Sequence, residues 1–564
     1  MEGLALKHYL RFALFSVVTT GLMFAANPKI AKDLTGLGAG TTVNVIVRYK
    51  TPPAGDQVKK VRDRGGDCGQ ALDVVKGLGC RMGASSLEAL AADPNVEYVG
   101  LDHPVKATMD YAAAAVSANT AFRFGYDGRG VTVAVIDSGI MDTHPDLQDF
   151  IGFSRVVYEE SFLPLNSGKG AAALDENGHG THVAAILGGD ASMSSGLLYT
   201  RTFRGIAPQV RFVNLRVLNK QGIGTDSAVI AAIQRAIELK KTYNIRVINL
   251  SLGRPVFESY LLDPLCQAVE QAWKAGIAVV VAAGNQGRGT ATDWGYGTIS
   301  APGNDPFAIT VGATNDERTM TTSDDVIATY SSKGPTLFDH VVKPDLVAPG
   351  NRIVASEPKG EWLADSNPAN RPSESYYVLF GSSQPSRYYY EMSGTSMATP
   401  MVSGAAALLL QQNPALTPDQ IKARLMKTAD KCYWGVQSIT DKRTGASYFI
   451  ASDMFTVGAG SLDVWAALNN NDPLTSGTNS LSPTVTYNSA TKVITLVTDP
   501  SAVWNSQIIW GDHIVWGDHI VWGDHIVWGD HIVWGDQTVW GDHIVWGDSS
   551  LSAASNDVTL YGDR

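Results

Sequence analysis

The chain has 564 residues, 44% of them hydrophobic, which is enough apolar side chain for a sizeable core and too long for one compact domain. Its net charge of -11 is mild for that size and no basic block stands out, so the electrostatic footprint of a nucleic-acid binder or of a protein held on anionic lipid is missing. Four cysteines, Cys68, Cys80, Cys266 and Cys432, are too few for a disulfide framework and lack metal-site spacing. Pairs Cys68–Cys80 and Cys266–Cys432 fit an oxidising compartment; inert buried thiols fit equally well.

Lys7, His8 and Arg11 precede the apolar run FALFSVVTTGLMFAA, so residues 1–26 read as a signal peptide of a secreted protein. The run is shorter than the ~20 residues of a spanning helix. Cleavage after Ala26 would put Phe24 where a small residue is preferred, so an uncleaved N-terminal anchor is the other reading. Residues 27–109 then read as a small α+β unit. VNVIVRY (Val43–Tyr49) alternates and is β-branched, SSLEALAADP suggests a helix capped by Ser86 and stopped by Pro94, and VEYVGLD (Val96–Asp102) is a second strand.

From 110 to 468 the pattern changes. VTVAVID, VRFVNLRVL, VINLSLG and IAVVVAAGN are short apolar runs, separated by helical stretches such as Ser227–Lys241 and Pro264–Gly276. Buried strands alternating with helices predict an α/β domain whose parallel sheet is covered on both faces. NNNDPLTSGTNSLSP opens a polar stretch, and residues 469–502 read as a linker. Residues 503–564 carry a tandem hexapeptide: WGDHIV starts at Trp510, Trp516, Trp522 and Trp528, becomes WGDQTV at Trp534, and returns at Trp540 before the array ends at Trp546. A period this short marks an array rather than a globular core. An even period returns each tryptophan to one face of an extended strand, so the tail is expected to display an indole ladder that binds a cell surface or polymer. A tail trimmed during maturation is the alternative.

Three segments carry chemistry. AVIDSGI puts Asp137 at the C-terminal end of a buried strand, where open parallel sheets place their ligands. DENGHGTHVAAILGG sets His179 between Gly178 and Gly180 at the start of a helix. MSGTSMATPMVSGAAALLL presents Ser396 at the start of a long apolar helix, with Pro400 expected so early that it sacrifices no internal hydrogen bond. A serine hydroxyl needs an imidazole to take its proton, and the imidazole needs a carboxylate to fix its tautomer. VVVAAGNQG adds Asn285, an amide able to donate to an oxyanion. Each segment alone fits a turn, a surface histidine or a helix cap. Together they point to acyl transfer.

DSGIMDTHPDL, HGTHVAAILGG, AAGNQG and GTSMATPMVSG resemble the signature blocks of the subtilisin family, in the order Asp, His, Ser, over about Tyr111–Asn469. The segment from Val43 to about Ala107 resembles the inhibitory propeptide of such proteases. The resemblance implies a three-layer α/β/α catalytic domain and a serine endopeptidase acting on proteins or peptides through an acyl-enzyme. It also implies a self-processing precursor inhibited by its own propeptide, with no cofactor needed for the chemistry. NLSLG matches one wall of the primary specificity pocket (Ser251, Leu252, Gly253), Ala283 and Gly284 the other, and Gly222 the segment that pairs with extended substrate.

Residues between His179 and Ile206 lack the family's Asn-rich calcium loop. Asp146 is left as a candidate structural calcium ligand, with an N-cap or salt-bridge role preferred, because one carboxylate makes no site. Asn351–Glu391 looks like an insertion and is read as a surface loop, with a segment bordering the cleft as the alternative. Met397 is expected to pack, or to be a site of oxidative inactivation. A catalytically silent binding or surface protein on the same fold is the rival reading, and every catalytic position is filled against it. An α/β-hydrolase would need a G-x-S-x-G elbow and the order Ser, Asp, His.

Overall fold

The computed structural model describes residues 27–31, 34, 37–38, 40–72, 76–101, 111–163, 168–169, 173–288, 294–357, 360–431, 435–441, 445–470, 479–488, 493–497, 499, 501–502, 551–552 and 562–563. The expected signal peptide, the hexapeptides from Trp510 to Trp546 and Cys432 lie outside them. The chain divides between Lys106 and Ala107 into two compact units.

In the first unit, strands β1 (Thr42–Tyr49), β2 (Asp67–Leu72), β3 (Gly77–Gly83) and β4 (Val96–Leu101) form an antiparallel sheet in the order β2-β3-β1-β4. Helices α1 (Gly55–Arg62) and α2 (Leu87–Ala91) accompany it. Alternation along β1 buries Val45, Val47 and Tyr49 with Val61, Leu90 and Val99. Ser86 is the N-cap residue of α2 but makes no side-chain cap; its hydroxyl donates to Arg64 O at 3.0 Å. Cys68 and Cys80 lie opposite each other on β2 and β3 and are disulfide-bonded. The β3 sequence GLGCRMG is too glycine-rich to announce a strand, and its pairing with β1 is what extends it.

The second unit begins with α3 (Tyr111–Ala115) and α4 (Ala118–Arg123) and is built on a nine-stranded sheet. Its members are β5 (Thr132–Asp137), β6 (Val156–Ser161), β7 (Gly168–Lys169), β8 (Arg211–Arg216), β10 (Ile245–Leu250), β11 (Ala278–Ala282), β12 (Ile309–Asn315), β13 (Val326–Ile327) and β14 (Leu346–Pro349). The order is β13-β12-β11-β10-β5-β8-β6-β7 with β14 also on β12, and only the short β7 and β13 run antiparallel. Every residue of β5, β11 and β12 is buried, as a sheet covered on both faces requires. Helices α6 (Asp226–Tyr243) and α7 (Pro264–Lys274) pack together as one cover. Helices α5 (His179–Gly188) and α10 (Thr395–Gln412) pack together as the other. The short β9 (Ile223–Gly224) lies off the sheet.

The expected strands 131–137, 210–218, 247–253 and 277–285 are β5, β8, β10 and β11. Outside them, two segments differ from expectation. Asn351–Glu391 is a packed substructure rather than a surface loop: β15 (Ile353–Ser356) pairs with β16 (Tyr389–Met392) around α8 (Trp362–Ser366) and α9 (Glu374–Tyr377). Its Tyr377 and Tyr389 are buried against Phe203, so tyrosines that read as loop decoration form a small core. Beyond α11 (Pro418–Thr428), the hairpin β17 (Val436–Thr440)–β18 (Ser447–Ala451) and α12 (Val464–Asn469), the stretch read as a linker holds a second hairpin. Strands β19 (Thr484–Asn488) and β20 (Val493–Val497) bury Val485 and Ile494 against Met426 and Phe455. Ser482 donates to the buried Asp345 at 2.6 Å. Among the described residues no helix is long and apolar enough to cross a membrane.

Candidate active site

Asp137 ends β5 and His179 opens α5, so the sheet delivers the carboxylate and the helix the imidazole to one place. His179 Nδ1 lies 2.8 Å from Asp137 Oδ1, with both side chains about 1% exposed. A carboxylate only accepts, so Nδ1 carries the proton and donates, leaving the Nε2 lone pair as the base. Nε2 is buried and has no hydrogen-bond partner among the described residues. Asp137 Oδ1 also accepts the Ser138 amide at 2.7 Å.

A second carboxylate, Asp175 of the DENGHGTH segment, holds this geometry. Asp175 accepts from Ser138 Oγ (2.8 Å), Gly178 N (2.8 Å), Thr181 N (2.8 Å) and Thr181 Oγ1 (2.7 Å). Ser138 Oγ in turn accepts from Gly180 N at 2.9 Å, tying the residue after Asp137 to the residue after His179. Burial pushes the Asp175 carboxyl up, and these donors pull it back toward the ionised form. Only glycine fits at 180, since a Cβ there would stand 2.2 Å from Gly139 O. Gly178 has φ +104 and would place a Cβ 2.4 Å from Glu361 Cγ, so α8 of the inserted substructure abuts the histidine loop. Trp362 N donates to Glu176 O at 3.0 Å along the same contact. Burial, then the charge of Glu357, pushes Glu361 up to about 8.

Ser396 lies in the first turn of α10, whose initial N–H groups have no intrahelical acceptor. Its Oγ donates to Ser251 O at 3.1 Å, and Ser251 Oγ donates back to Ser396 O at 2.9 Å. The expectation that Pro400 sacrifices no bond is corrected here. Pro400 has no N–H to give the carbonyl four residues earlier, that of Ser396, and Ser251 fills the gap. Ser251 is oriented by Asn249 Nδ2 (3.0 Å), which accepts Ser403 Oγ at its own Oδ1 (2.8 Å). Asn285 follows β11, and its Oδ1 accepts from Thr395 N (2.9 Å) and Thr395 Oγ1 (3.1 Å), which identifies Nδ2 as the donor side of its amide. Met397 is fully buried and packs in the core.

The subtilase family model matches residues 128–460, more than half of the chain. The chain belongs to the subtilase family. It is similar to serine protease AprX of Bacillus subtilis (strain 168), with 38% identity over 356 residues covering 62% of this chain and 72% of the relative. It is similar to subtilisin E of the same organism, with 32% identity over 398 residues, 69% and 86% of the two chains. An alkaline protease of Shouchella clausii is 32% identical over 361 residues, 64% and 75%. This subtilase is therefore a serine-type endopeptidase.

Of the residues expected to bind substrate, Ser251 and Gly284 hydrogen-bond to the start of α10, Gly284 N donating to Thr395 Oγ1 at 3.2 Å. Leu252 is buried, and a Cβ at Gly253 would meet Ala301 O at 3.0 Å. Ala283 is buried, and Gly284 has φ +108 with a would-be Cβ 2.4 Å from Ser300 Oγ. Gly222 turns the chain (φ +75) into β9, where Ile223 and Gly224 pair antiparallel with β21 (Leu551–Ser552). Asp146 is neither N-cap nor salt bridge. Its carboxylate is filled by Ser192 Oγ, Met193 N, Ser356 Oγ and Tyr389 Oη at 2.8–3.1 Å. No cluster of three metal-ligating side chains occurs among the described residues. Cys266 is a buried free thiol that donates to Asn304 Oδ1 at 3.3 Å, as the inert-thiol alternative has it, and Cys432 lies outside the described residues.

Proposed function

We propose that Asp137, His179 and Ser396 are the catalytic triad of this endopeptidase, with Asn285 and the Ser396 amide as oxyanion donors. The observation that carries the reading is the buried 2.8 Å Asp137–His179 contact, which fixes the tautomer and makes Nε2 the base. In acylation the Ser396 hydroxyl leaves Ser251 O and passes its proton to His179 Nε2 as Oγ bonds to the substrate carbonyl carbon. Asp137 stabilises the imidazolium, and Asn285 Nδ2 donates to the oxyanion. Collapse returns the proton to the leaving amine and leaves an acyl-enzyme, which water hydrolyses by the same steps.

Substrate adds as a strand beside β9 after Gly222, with Ser251, Leu252 and Gly253 on one wall of the primary pocket and Ala283 and Gly284 on the other. The β9–β21 pairing supports this, because it shows that edge accepting an extended segment. The chain is secreted, residues 1–26 are its signal peptide, and residues 27–109 are a propeptide inhibitor removed by self-cleavage within Ala107–Ala115. The hexapeptide tail follows the catalytic domain as a surface- or polymer-binding array. Intact-mass comparison of wild type with Ser396→Ala tests the processing: the wild type should lose the propeptide and the variant keep it. Cleavage at this junction in the purified variant would assign the cut to another protease.

A further inference from the structure

Gly562 and Asp563 are seated in the catalytic unit on a site made by Arg288, Thr329, Asn351 and Ser393. Asp563 is 6% exposed, Asn351 2% and Thr329 0%. The Asp563 carboxylate, the Asp563 amide and both carbonyls of the pair have partners. The Asp563 carboxylate accepts from Arg288 Nη2 (3.0 Å), Thr329 N (2.7 Å) and the Thr329 hydroxyl. Asn351 presents its side-chain amide as a strand would, accepting Asp563 N (2.8 Å) and donating to Asp563 O (3.0 Å). Gly562 O accepts from Arg288 Nη2 at 3.1 Å. The guanidinium is held by Thr329 Oγ1 (2.8 Å), by the Tyr330 and Tyr448 rings (6.0 and 5.3 Å to their centroids), and by Asp441 at 3.8 Å. Residue 562 must be glycine. Its φ is +54, and a Cβ would stand 2.2 Å from Ser393 Oγ and 2.3 Å from Asn351 Oδ1.

This is selection for a Gly-Asp pair, and the chain repeats that pair. Tyr561-Gly562-Asp563 is an aromatic-Gly-Asp triplet, and Trp-Gly-Asp recurs seven times at Trp510, Trp516, Trp522, Trp528, Trp534, Trp540 and Trp546. We propose that the Arg288–Thr329–Asn351–Ser393 site is a receptor for aromatic-Gly-Asp segments, and that the hexapeptide tail supplies further ligands for it. A tail with many equivalent ligands keeps the site filled when one copy is lost, because linkage holds the others at high effective concentration. The site adjoins the catalytic centre in sequence, with Arg288 three residues after Asn285 and Ser393 three before Ser396. It does not depend on the triad assignment.

The test is fluorescence anisotropy with the labelled peptide HIVWGDHIV, residues 513–521, on the full chain carrying Ser396→Ala so that nothing is cut. A version with Asp→Asn at 512, 518, 524, 530, 536, 542, 548 and 563 removes the internal competitors. The peptide is expected to bind this version at least about tenfold more tightly than HIVWGNHIV or HIVWADHIV does, as loss of a charge-assisted or sterically required contact predicts. Arg288→Gln is expected to abolish the difference. The peptide should also bind more weakly to the chain with its tail aspartates intact. Equal affinity for the three peptides, or no measurable binding of HIVWGDHIV, overturns the proposal. The three peptides are compared on one protein, so the result does not hang on how a variant folds.

Discussion

The two halves of the proposed catalytic centre are held by different physics. Around Asp137 and His179, one buried carboxylate, Asp175, gathers five donors and ties the strand end to the helix start. Around Ser396 the restraints are neutral: a reciprocal hydroxyl–carbonyl pair with Ser251 and an amide held by Thr395. Hydrogen bonds to a charged group are worth roughly 1.5–3 kcal/mol and neutral ones about 0.5–1.5. His179 is therefore the more firmly held side chain, while the Ser396 hydroxyl keeps a single neutral and exchangeable partner, Ser251 O. In such a centre, loss of the chemistry and loss of the framework should separate by mutation.

The largest expected effect is chemical. Ser396→Ala and His179→Ala should each lower kcat by ~10⁶, a magnitude carried over from subtilisin itself, with unfolding transitions close to wild type. Peptide hydrolysis by either purified variant at near-normal rate would break the triad assignment. Asn285→Ala should cost ~10²–10³ in kcat with KM little changed, again by the subtilisin precedent. A rise in KM alone would make Asn285 a ground-state contact.

The framework effects come next and differ between the halves. Asp175→Asn keeps one acceptor oxygen for donors that now share two, and should cost about 2–4 kcal/mol in denaturant unfolding. Ser251→Ala orphans the buried Ser396 carbonyl that Pro400 cannot serve, at about 1–3 kcal/mol. If Ser251→Ala proved the more damaging of the two, the contrast between a charged and a neutral framework would fail.

Glu361 gives the effect with a pH sign. Its carboxyl is raised from 4.5 to about 8, chiefly by burial and then by Glu357, so the folded chain holds this proton more tightly than the unfolded one. The associated stability is complete below about 4.5 and is lost as pH rises to about 8. Glu361→Gln should therefore gain stability relative to wild type across that window in unfolding midpoints measured at each pH. A difference that stays flat with pH would show that Glu361 ionises normally beside the histidine loop.

Most of this centre was legible because its residues sit at the ends of strongly patterned elements. The run VTVAVID announces both β5 and the acid that ends it, and the same holds for IAVVVAAGN and Asn285. Asp175 was not legible as a support, although its signal stood in DENGHGTH: an acid just before a tight Asn-Gly turn is placed to accept several amides. The role of Ser251 could not be read, since it depends on a carbonyl exposed by Pro400 from 149 residues along the chain. The inserted tyrosines and the β19–β20 hairpin were hidden for another reason. Their strands are short, polar on one side and stabilised by long-range packing against Phe203 and Phe455. The Gly-Asp site was invisible because its walls come from four separate loops.

The most direct measurement is active-site labelling with a fluorophosphonate, read by intact mass and peptide mapping. The account predicts a single stoichiometric adduct on Ser396, formed by wild type and by Ser251→Ala, and no appreciable adduct on His179→Ala at the same exposure. Stoichiometric labelling of a different serine, or undiminished labelling of Ser396 without His179, would contradict it.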